Sequence, residues 1–111
     1  MRPKQSLKML PDFVRSALFN PGVLLVGSAC KWLIGEKQEQ PGDFDIIVEP
    51  SQFQAVCRPL TNTAVRVNSF GGLKIVGPPS IDVIPLSLTD FILQCDGDIA
   101  IALRPYKIVR W

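Results

Sequence analysis

Residues 43–48 have the sequence Asp-Phe-Asp-Ile-Ile-Val, which alternates between charged and apolar side chains and then becomes wholly apolar. This pattern predicts a β-strand over 43–49, in which side chains two positions apart leave the same face. Asp43 and Asp45 are then close enough to share one ion. Two like charges held together are costly unless a cation lies between them, so the pair is a candidate metal site. The alternative is that one aspartate ends the preceding loop and the other is simply exposed.

The chain before this strand predicts a turn suited to phosphate. Residues 23–26 are a continuous apolar run, typical of a buried strand, and Gly27 and Ser28 follow it. We expect Ser28 to cap a helix over 29–34 that Gly35 ends. A helix N-terminus presents free amide groups, and glycine lets a phosphate approach the backbone. A simple cap after a tight turn explains the same two residues equally well.

A third carboxylate lies in a predicted strand over 80–85. Asp82 is flanked there by β-branched apolar residues, where a charge is unusual. A carboxylate inside a sheet needs a partner, and a metal ion is one candidate. The alternative is that Asp82 lies on the solvated face of an edge strand.

The remaining segments complete an α/β (α+β) domain with a mixed β-sheet and flanking helices. Proline, glycine and the apolar pattern mark the boundaries of each element. We expect a meander from strands over 64–68, 73–76 and 80–85, and a closing hairpin from strands over 99–103 and 107–109. The expected helices are 12–19, 52–58 and 88–94.

Composition limits the chemistry and the location. The chain has 111 residues, a net charge of +2, three cysteines and no histidine. This length fits one domain, residues 1–111, and the missing histidine excludes Ser-His-Asp and Cys-His catalysis. The cysteines have no metal-site or disulfide spacing, which favours a reducing compartment. No signal peptide or membrane span is readable, so we expect a cytoplasmic protein.

The three motifs together resemble the nucleotidyltransferase superfamily, whose members share the DNA polymerase β-like fold. Its signature is a Gly-Ser or Gly-Gly turn, a carboxylate-x-carboxylate on the next strand and a third carboxylate on a later strand. The corresponding residues are Leu-Val-Gly-Ser at 25–28, the 43–48 strand and Ile-Asp-Val at 81–83. The likeness is nearest to the catalytic head of the poly(A) polymerase and CCA-adding group. Lys31 stands where that group has an arginine, and Trp32 where it has an aspartate.

The resemblance covers roughly residues 23–86 and implies two-metal phosphoryl transfer. Asp43 and Asp45 would hold two Mg²⁺ (or Mn²⁺) ions, and Asp82 would ligate the ion beside the attacking hydroxyl. An NTP would then lose pyrophosphate as its NMP moves to that hydroxyl. The acceptor could belong to an RNA 3′ end, a protein or a small molecule.

The resemblance also gives the phosphates their contacts. Gly27 and Ser28 would hold the terminal phosphates, and Lys31 would neutralise their charge. Lys74 is a weaker candidate for a triphosphate contact, because a plain hairpin turn with Lys74 in solvent fits as well. Trp32 and Phe70 could stack on a base, although we expect both to pack in the core.

Two further interpretations remain open from the sequence. The chain resembles the catalytic head without the helical domain that RNA-elongating members carry, so a partner subunit or homo-oligomer would supply further substrate contacts. It could instead be a catalytically degenerate module of the same fold that binds nucleotide or a protein partner. The third possibility is an unrelated α+β interaction protein, which would require Asp82 to lie far from Asp43.

Overall fold

A computed structural model of the chain describes residues 7–33, 35–60, 64–87 and 89–90. Within these ranges it has three α-helices, three short 3₁₀ segments and a five-stranded mixed sheet, which confirms the predicted α+β class. The 3₁₀ segments are Leu7–Met9, Pro50–Gln52 and Arg58–Leu60. The helices are α1 (Asp12–Ala17), α2 (Gly27–Leu33) and α3 (Phe53–Cys57). The strands are β1 (Val23–Val26), β2 (Asp43–Val48), β3 (Val65–Val67), β4 (Leu73–Ile75) and β5 (Ser80–Pro85).

The strand order in the sheet is β1-β2-β5-β4-β3. The β2–β5 pair is parallel and the other pairs are antiparallel. Strands β3, β4 and β5 form the predicted meander. Because β5 lies between β2 and β4, the alternative that placed Asp82 on an edge strand is wrong.

The two faces of the sheet differ in what covers them. One face carries Phe44, Ile46 and Val83, which pack with buried residues of all three helices in the main core. The opposite face has a small cluster around Val26 and Ile47, to which no described helix contributes. The alternation along β2 produces this division, because odd-numbered and even-numbered side chains leave opposite faces. Asp43 and Asp45 therefore lie on the face away from the described helices.

The boundaries of α2 differ from the prediction. The helix runs from Gly27 to Leu33, so Ser28 lies inside its first turn instead of capping a helix that begins at residue 29. Four of its residues are buried in the main core, and this burial stabilises the helix. The buried residues are Ala29, Cys30, Trp32 and Leu33.

Two other predicted helices are shorter than expected, and two further predicted elements lie largely outside the described residues. The helix predicted over 12–19 ends at Ala17, and the one over 52–58 is reduced to α3 between two 3₁₀ segments. The helix at 88–94, apart from residues 89 and 90, and the hairpin over 99–109 lie outside the described residues. Among the helices that the structure describes, none is long and apolar enough to cross a membrane.

Candidate active site

The three predicted acidic residues lie on the face of the sheet opposite the described helices. Asp43 and Asp45 belong to β2, and Asp82 to the neighbouring parallel strand β5. The register pairs Asp45 directly with Asp82, so the two side chains leave the sheet next to each other. Neighbouring strands are about 4.8 Å apart, which makes the two carboxylates electrostatic neighbours. The fold therefore joins two motifs that are 37 positions apart in the chain.

Gly27 lies beside Asp45 where β1 passes into α2. Val26 is the β1 partner of Asp45, and Gly27 follows with φ of 72°, a left-handed conformation that favours glycine. A Cβ atom at Gly27 would lie 3.2 Å from Asp45 Oδ2. Glycine is therefore favoured here for two reasons, the backbone conformation and the close approach of the carboxylate.

Asp82 is a buried carboxylate with partners for both oxygens. The residue is 7% exposed. Its Oδ1 accepts a hydrogen bond from Asn68 Nδ2 at 3.2 Å, and its Oδ2 lies 3.6 Å from Lys74 Nζ. A buried charge is costly unless it is paired and hydrogen-bonded. The partners that the chain itself supplies are thus an amide and an ammonium group.

The surroundings of Asp45 raise the pKa of its carboxyl group. It is half-buried and has no hydrogen-bond or salt-bridge partner among the described side chains. Burial raises its pKa from the ordinary value of 3.8, and the negative charges of Asp82 and Asp43 raise it further. Lys74 lowers the pKa in part. Ionisation of Asp45 is therefore penalised in a way that a bound cation would relieve.

Two cations continue this line across the sheet. Lys74 on β4 is the register partner of Asp82, and Arg66 on β3 is the partner of Lys74. Directly opposed residues share a face, so Asp45, Asp82, Lys74 and Arg66 form one row over four strands. We call these four residues the charged row. Along the charged row, two carboxylates are followed by two cations.

Ser28 and Lys31 are less directly connected to the carboxylates. Ser28 is adjacent to Gly27 and partly buried, and Lys31 follows three residues later, about 4.5 Å along α2. No described contact joins either side chain to an acidic residue. Their assignment as phosphate-binding residues stays a prediction.

The two aromatic candidates have different environments. Trp32 is 2% exposed and makes an edge contact with Phe44, the ring centroids being 6.3 Å apart, which confirms core packing. Phe70 is 57% exposed, so the expectation that it packs in the core is wrong. Phe70 lies in the turn between two short strands, and this turn reaches beyond the main core.

Sequence reasoning missed Asn68. Its side chain contacts Asp82 and also closes the β3–β4 turn, accepting hydrogen bonds from the Phe70 and Gly72 amides at 3.1 and 2.8 Å. Asparagine at the start of a turn is a readable signal for the local bonds. Its contact with Asp82 was not readable, because that contact requires the pairing of β4 with β5.

The donor set fits a divalent cation in its chemistry. Mg²⁺ and Mn²⁺ take carboxylate oxygens, and Asp43 and Asp45 have none of their oxygens engaged by a described side chain. The absence of a side chain at Gly27 lets the Asp45 carboxylate lie against the backbone at the start of α2. Within the described ranges, however, no three Asp, Glu, Cys or His side chains converge as one metal centre.

Two grooves of the described surface lie apart from this site. One, of about 470 Å³, lies between α1 and residues 55–60, and the other, of about 620 Å³, lies beside α3 and the β3–β4 pair. None of the three carboxylates lines either groove. The two grooves therefore do not belong to the candidate site.

The chain matches no protein-family model, no curated protein and no solved structure. The likeness to nucleotidyltransferases therefore depends on the motif residues and on their arrangement in this fold.

Proposed function

We propose that the chain is a metal-dependent nucleotidyltransferase that moves an NMP from an NTP to a hydroxyl acceptor. The observation that carries the proposal is the register of β2 and β5, which pairs Asp45 with Asp82 beside Gly27. This arrangement combines three requirements of phosphoryl transfer: carboxylates for a cation, a backbone open to phosphate, and a cation beyond them. Aspartates that occur by chance in a sheet are not expected to lie together with such a glycine and such a cation.

Each residue has a distinct role in the proposal. Asp43 and Asp45 would hold two Mg²⁺ or Mn²⁺ ions, and Asp82 would ligate the ion beside the acceptor hydroxyl. The bound ions supply charge neutralisation on the triphosphate and favour ionisation of that hydroxyl. Gly27 lets the phosphates approach the backbone, and Lys74 stabilises their negative charge.

In this proposal, Lys74 pairs either with Asp82 or with a phosphate of the substrate. Its ammonium group lies 3.6 Å from Asp82 Oδ2 and its side chain is 40% exposed, so it can turn toward a phosphate without crossing the core. Such a movement frees one Asp82 oxygen for an ion. The Lys74–Asp82 ion pair therefore reduces the negative charge of the site before the substrate binds. When the substrate binds, Lys74 leaves Asp82 and pairs with a phosphate.

The acceptor remains a class in this proposal: an RNA 3′ end, a protein hydroxyl or a small molecule. Because the chain resembles the catalytic head alone, we propose that a partner subunit or a second copy of the chain supplies contacts to the base and the acceptor. A cytoplasmic location, expected from the cysteine spacing, belongs to the same proposal.

One observation favours a second function. Both oxygens of Asp82 have partners within the chain, and no three acidic residues of the described segments converge on a point. A catalytically degenerate module would keep such an arrangement permanently. That module would bind a nucleotide or a protein partner without transferring a nucleotidyl group.

Thermal unfolding with each NTP, with and without Mg²⁺, tests the proposal. A ligand at 100 times its Kd adds about 2.7 kcal/mol of apparent stability. We expect a Mg²⁺-dependent rise in Tm that Asp45→Asn abolishes. The matched control is Asp12→Asn, since Asp12 is an exposed aspartate of α1 that pairs with Arg15. A nucleotide shift that needs no metal and survives Asp45→Asn would favour the degenerate module.

A further inference from the structure

Asn68 makes more contacts with its side chain than a turn residue needs. Its Oδ1 accepts hydrogen bonds from the Phe70 and Gly72 amides, which is enough to close the β3–β4 turn. Its Nδ2 points the other way. This nitrogen lies 3.0 Å from Leu73 O, 3.2 Å from Asp82 Oδ1 and 3.3 Å from Val83 O. The amide oxygen of Asn68 therefore closes the turn, and its nitrogen contacts β4 and β5.

The network itself fixes the orientation of the amide. One end of the Asn68 side chain faces two N–H donors and the other faces three oxygens, so only one orientation satisfies both. Two N–H hydrogens serve three acceptors, and at least one hydrogen is shared. Asp82 is thus held from the β3–β4 turn by Asn68 and from β4 by Lys74, while its own strand β5 is paired on both sides.

The turn approaches β5 closely at this point. A Cβ atom at Gly72 would lie 2.0 Å from the Val83 carbonyl oxygen, so only glycine lets the turn pass there. The turn that carries Asn68 is therefore pressed against the residue that follows Asp82. Without this approach, the Asn68 amide could not reach the carboxylate.

We propose that Asn68 is a positioning residue that orients the Asp82 carboxylate for metal binding. This inference rests on the proposed function, in which Asp82 binds a metal ion. Asn68 acts through Asp82 and does not touch the substrate. By holding Oδ1, it leaves Oδ2 as the oxygen that exchanges Lys74 for an ion. Hydrogen-bond partners behind metal ligands commonly contribute about 10–100-fold to metal affinity.

A double-mutant cycle on Mn²⁺ affinity, measured by electron paramagnetic resonance in the presence of ATP, GTP, CTP or UTP, tests this role. The proteins are wild type, Asn68→Ala, Asp82→Ala and the double variant. We expect Asn68→Ala to weaken Mn²⁺ binding about 10-fold in the wild-type background and less than about 2-fold in the Asp82→Ala background.

A matched control separates positioning from turn stability. Asn20 closes a similar turn, its Oδ1 accepting from the Gly22 amide at 2.8 Å and its Nδ2 donating to Gln52 at 3.3 Å. Asn20 precedes Val23, and this end of β1 is the one farther from the candidate site. Asn20→Ala should lower Tm, as Asn68→Ala does, and leave Mn²⁺ affinity unchanged.

Each outcome decides the matter. An equal loss in both backgrounds, or no loss in Asn68→Ala, shows that Asn68 is only a turn residue and leaves the proposed function standing. A wild-type chain that binds no Mn²⁺ with any nucleotide overturns the proposed function, and the role of Asn68 with it. If Asn68→Ala does not fold, Asn68→Ser, which keeps an oxygen to accept from the turn amides, replaces it in the same double-mutant cycle. The same pattern of Mn²⁺ affinities is expected, and an equal loss in both backgrounds would overturn the inference.

Discussion

The Asp45 carboxylate approaches the backbone of Gly27 so closely that a Cβ atom there would lie 3.2 Å from Asp45 Oδ2. Gly27 also has φ of 72°, so the contact and the conformation select the same residue. This relationship joins the end of β1 to the strand that carries the acidic pair. It is the point where a phosphate could meet both backbone amides and a carboxylate-bound cation.

We expect Gly27→Ala to lower the free energy of unfolding by about 1–2 kcal/mol, because alanine resists a positive φ. Two other glycines separate the causes. Gly71 has φ of 81° with open space around it, and a Cβ atom at Gly42 would meet nothing within 4 Å. Gly71→Ala should show only the strain, and Gly42→Ala should be nearly neutral. Urea unfolding measures all three. A Gly27→Ala variant that loses no more stability than Gly71→Ala would refute the close approach.

The raised pKa of Asp45 predicts how stability depends on pH. Burial and the Asp82 and Asp43 charges raise this pKa above 3.8, so the folded protein holds the proton more tightly than the unfolded chain. This group therefore favours the metal-free fold most below about pH 3.8, and that advantage is lost as pH rises through the raised pKa. Asp45→Asn should stabilise the metal-free protein at pH 7 by about 0.2–1 kcal/mol, since the half-exposed charge is screened.

Urea unfolding of wild type and Asp45→Asn between about pH 4 and pH 8 measures this difference. The gain should shrink toward the acid end, where wild-type Asp45 is itself protonated. Asp12→Asn serves as the control, because Asp12 lies on α1 and pairs with Arg15. A gain of the same size at every pH would mean that charge repulsion is not its cause.

Lys74→Met should destabilise the metal-free protein by about 1 kcal/mol, because it leaves the buried Asp82 charge beside Asp45 without a nearby cation. Mg²⁺ with nucleotide should reduce this deficit if an ion takes over the neutralisation. Arg66→Met is the matched control, since Arg66 is the next cation of the charged row and has no described salt bridge. Denaturation with and without Mg²⁺ and nucleotide measures both. Equal effects of the two substitutions would contradict a specific Lys74–Asp82 pair.

The two aromatic candidates should respond very differently to truncation. Trp32→Ala should cost about 3–5 kcal/mol, because the ring is 2% exposed and packs on Phe44. Phe70→Ala should change stability by less than about 0.5 kcal/mol, because the ring is 57% exposed. Thermal unfolding compares them. A large loss of stability in Phe70→Ala would show that this ring packs against the protein.

Much of the fold was readable because local patterns are strong. The apolar run of β1 and the span of β5 were predicted at their observed boundaries, and the alternation of β2 correctly placed Asp43 and Asp45 on one face. Helix boundaries were less readable. Helix α2 begins two residues before the predicted start, and α3 ends at Cys57, where a 3₁₀ segment that contains Pro59 follows.

The candidate site was readable in its residues and not in its geometry. Asp82 was singled out because a carboxylate among β-branched residues is unusual, but its pairing with Asp45 depends on a parallel crossover between distant strands. Its salt bridge with Lys74 and its hydrogen bond with Asn68 depend on the same long-range pairing. No local pattern encodes such contacts.

The most direct test of the account is nuclear magnetic resonance of the labelled protein titrated with Mn²⁺ and nucleotide. Paramagnetic broadening falls off steeply with distance, so it locates the ion. The account predicts that the amide signals of Gly27, Asp45 and Asp82 broaden first, and that this broadening is lost in Asp45→Asn and kept in Asp12→Asn. Broadening centred on another part of the chain, or unchanged in Asp45→Asn, would contradict the proposed active site.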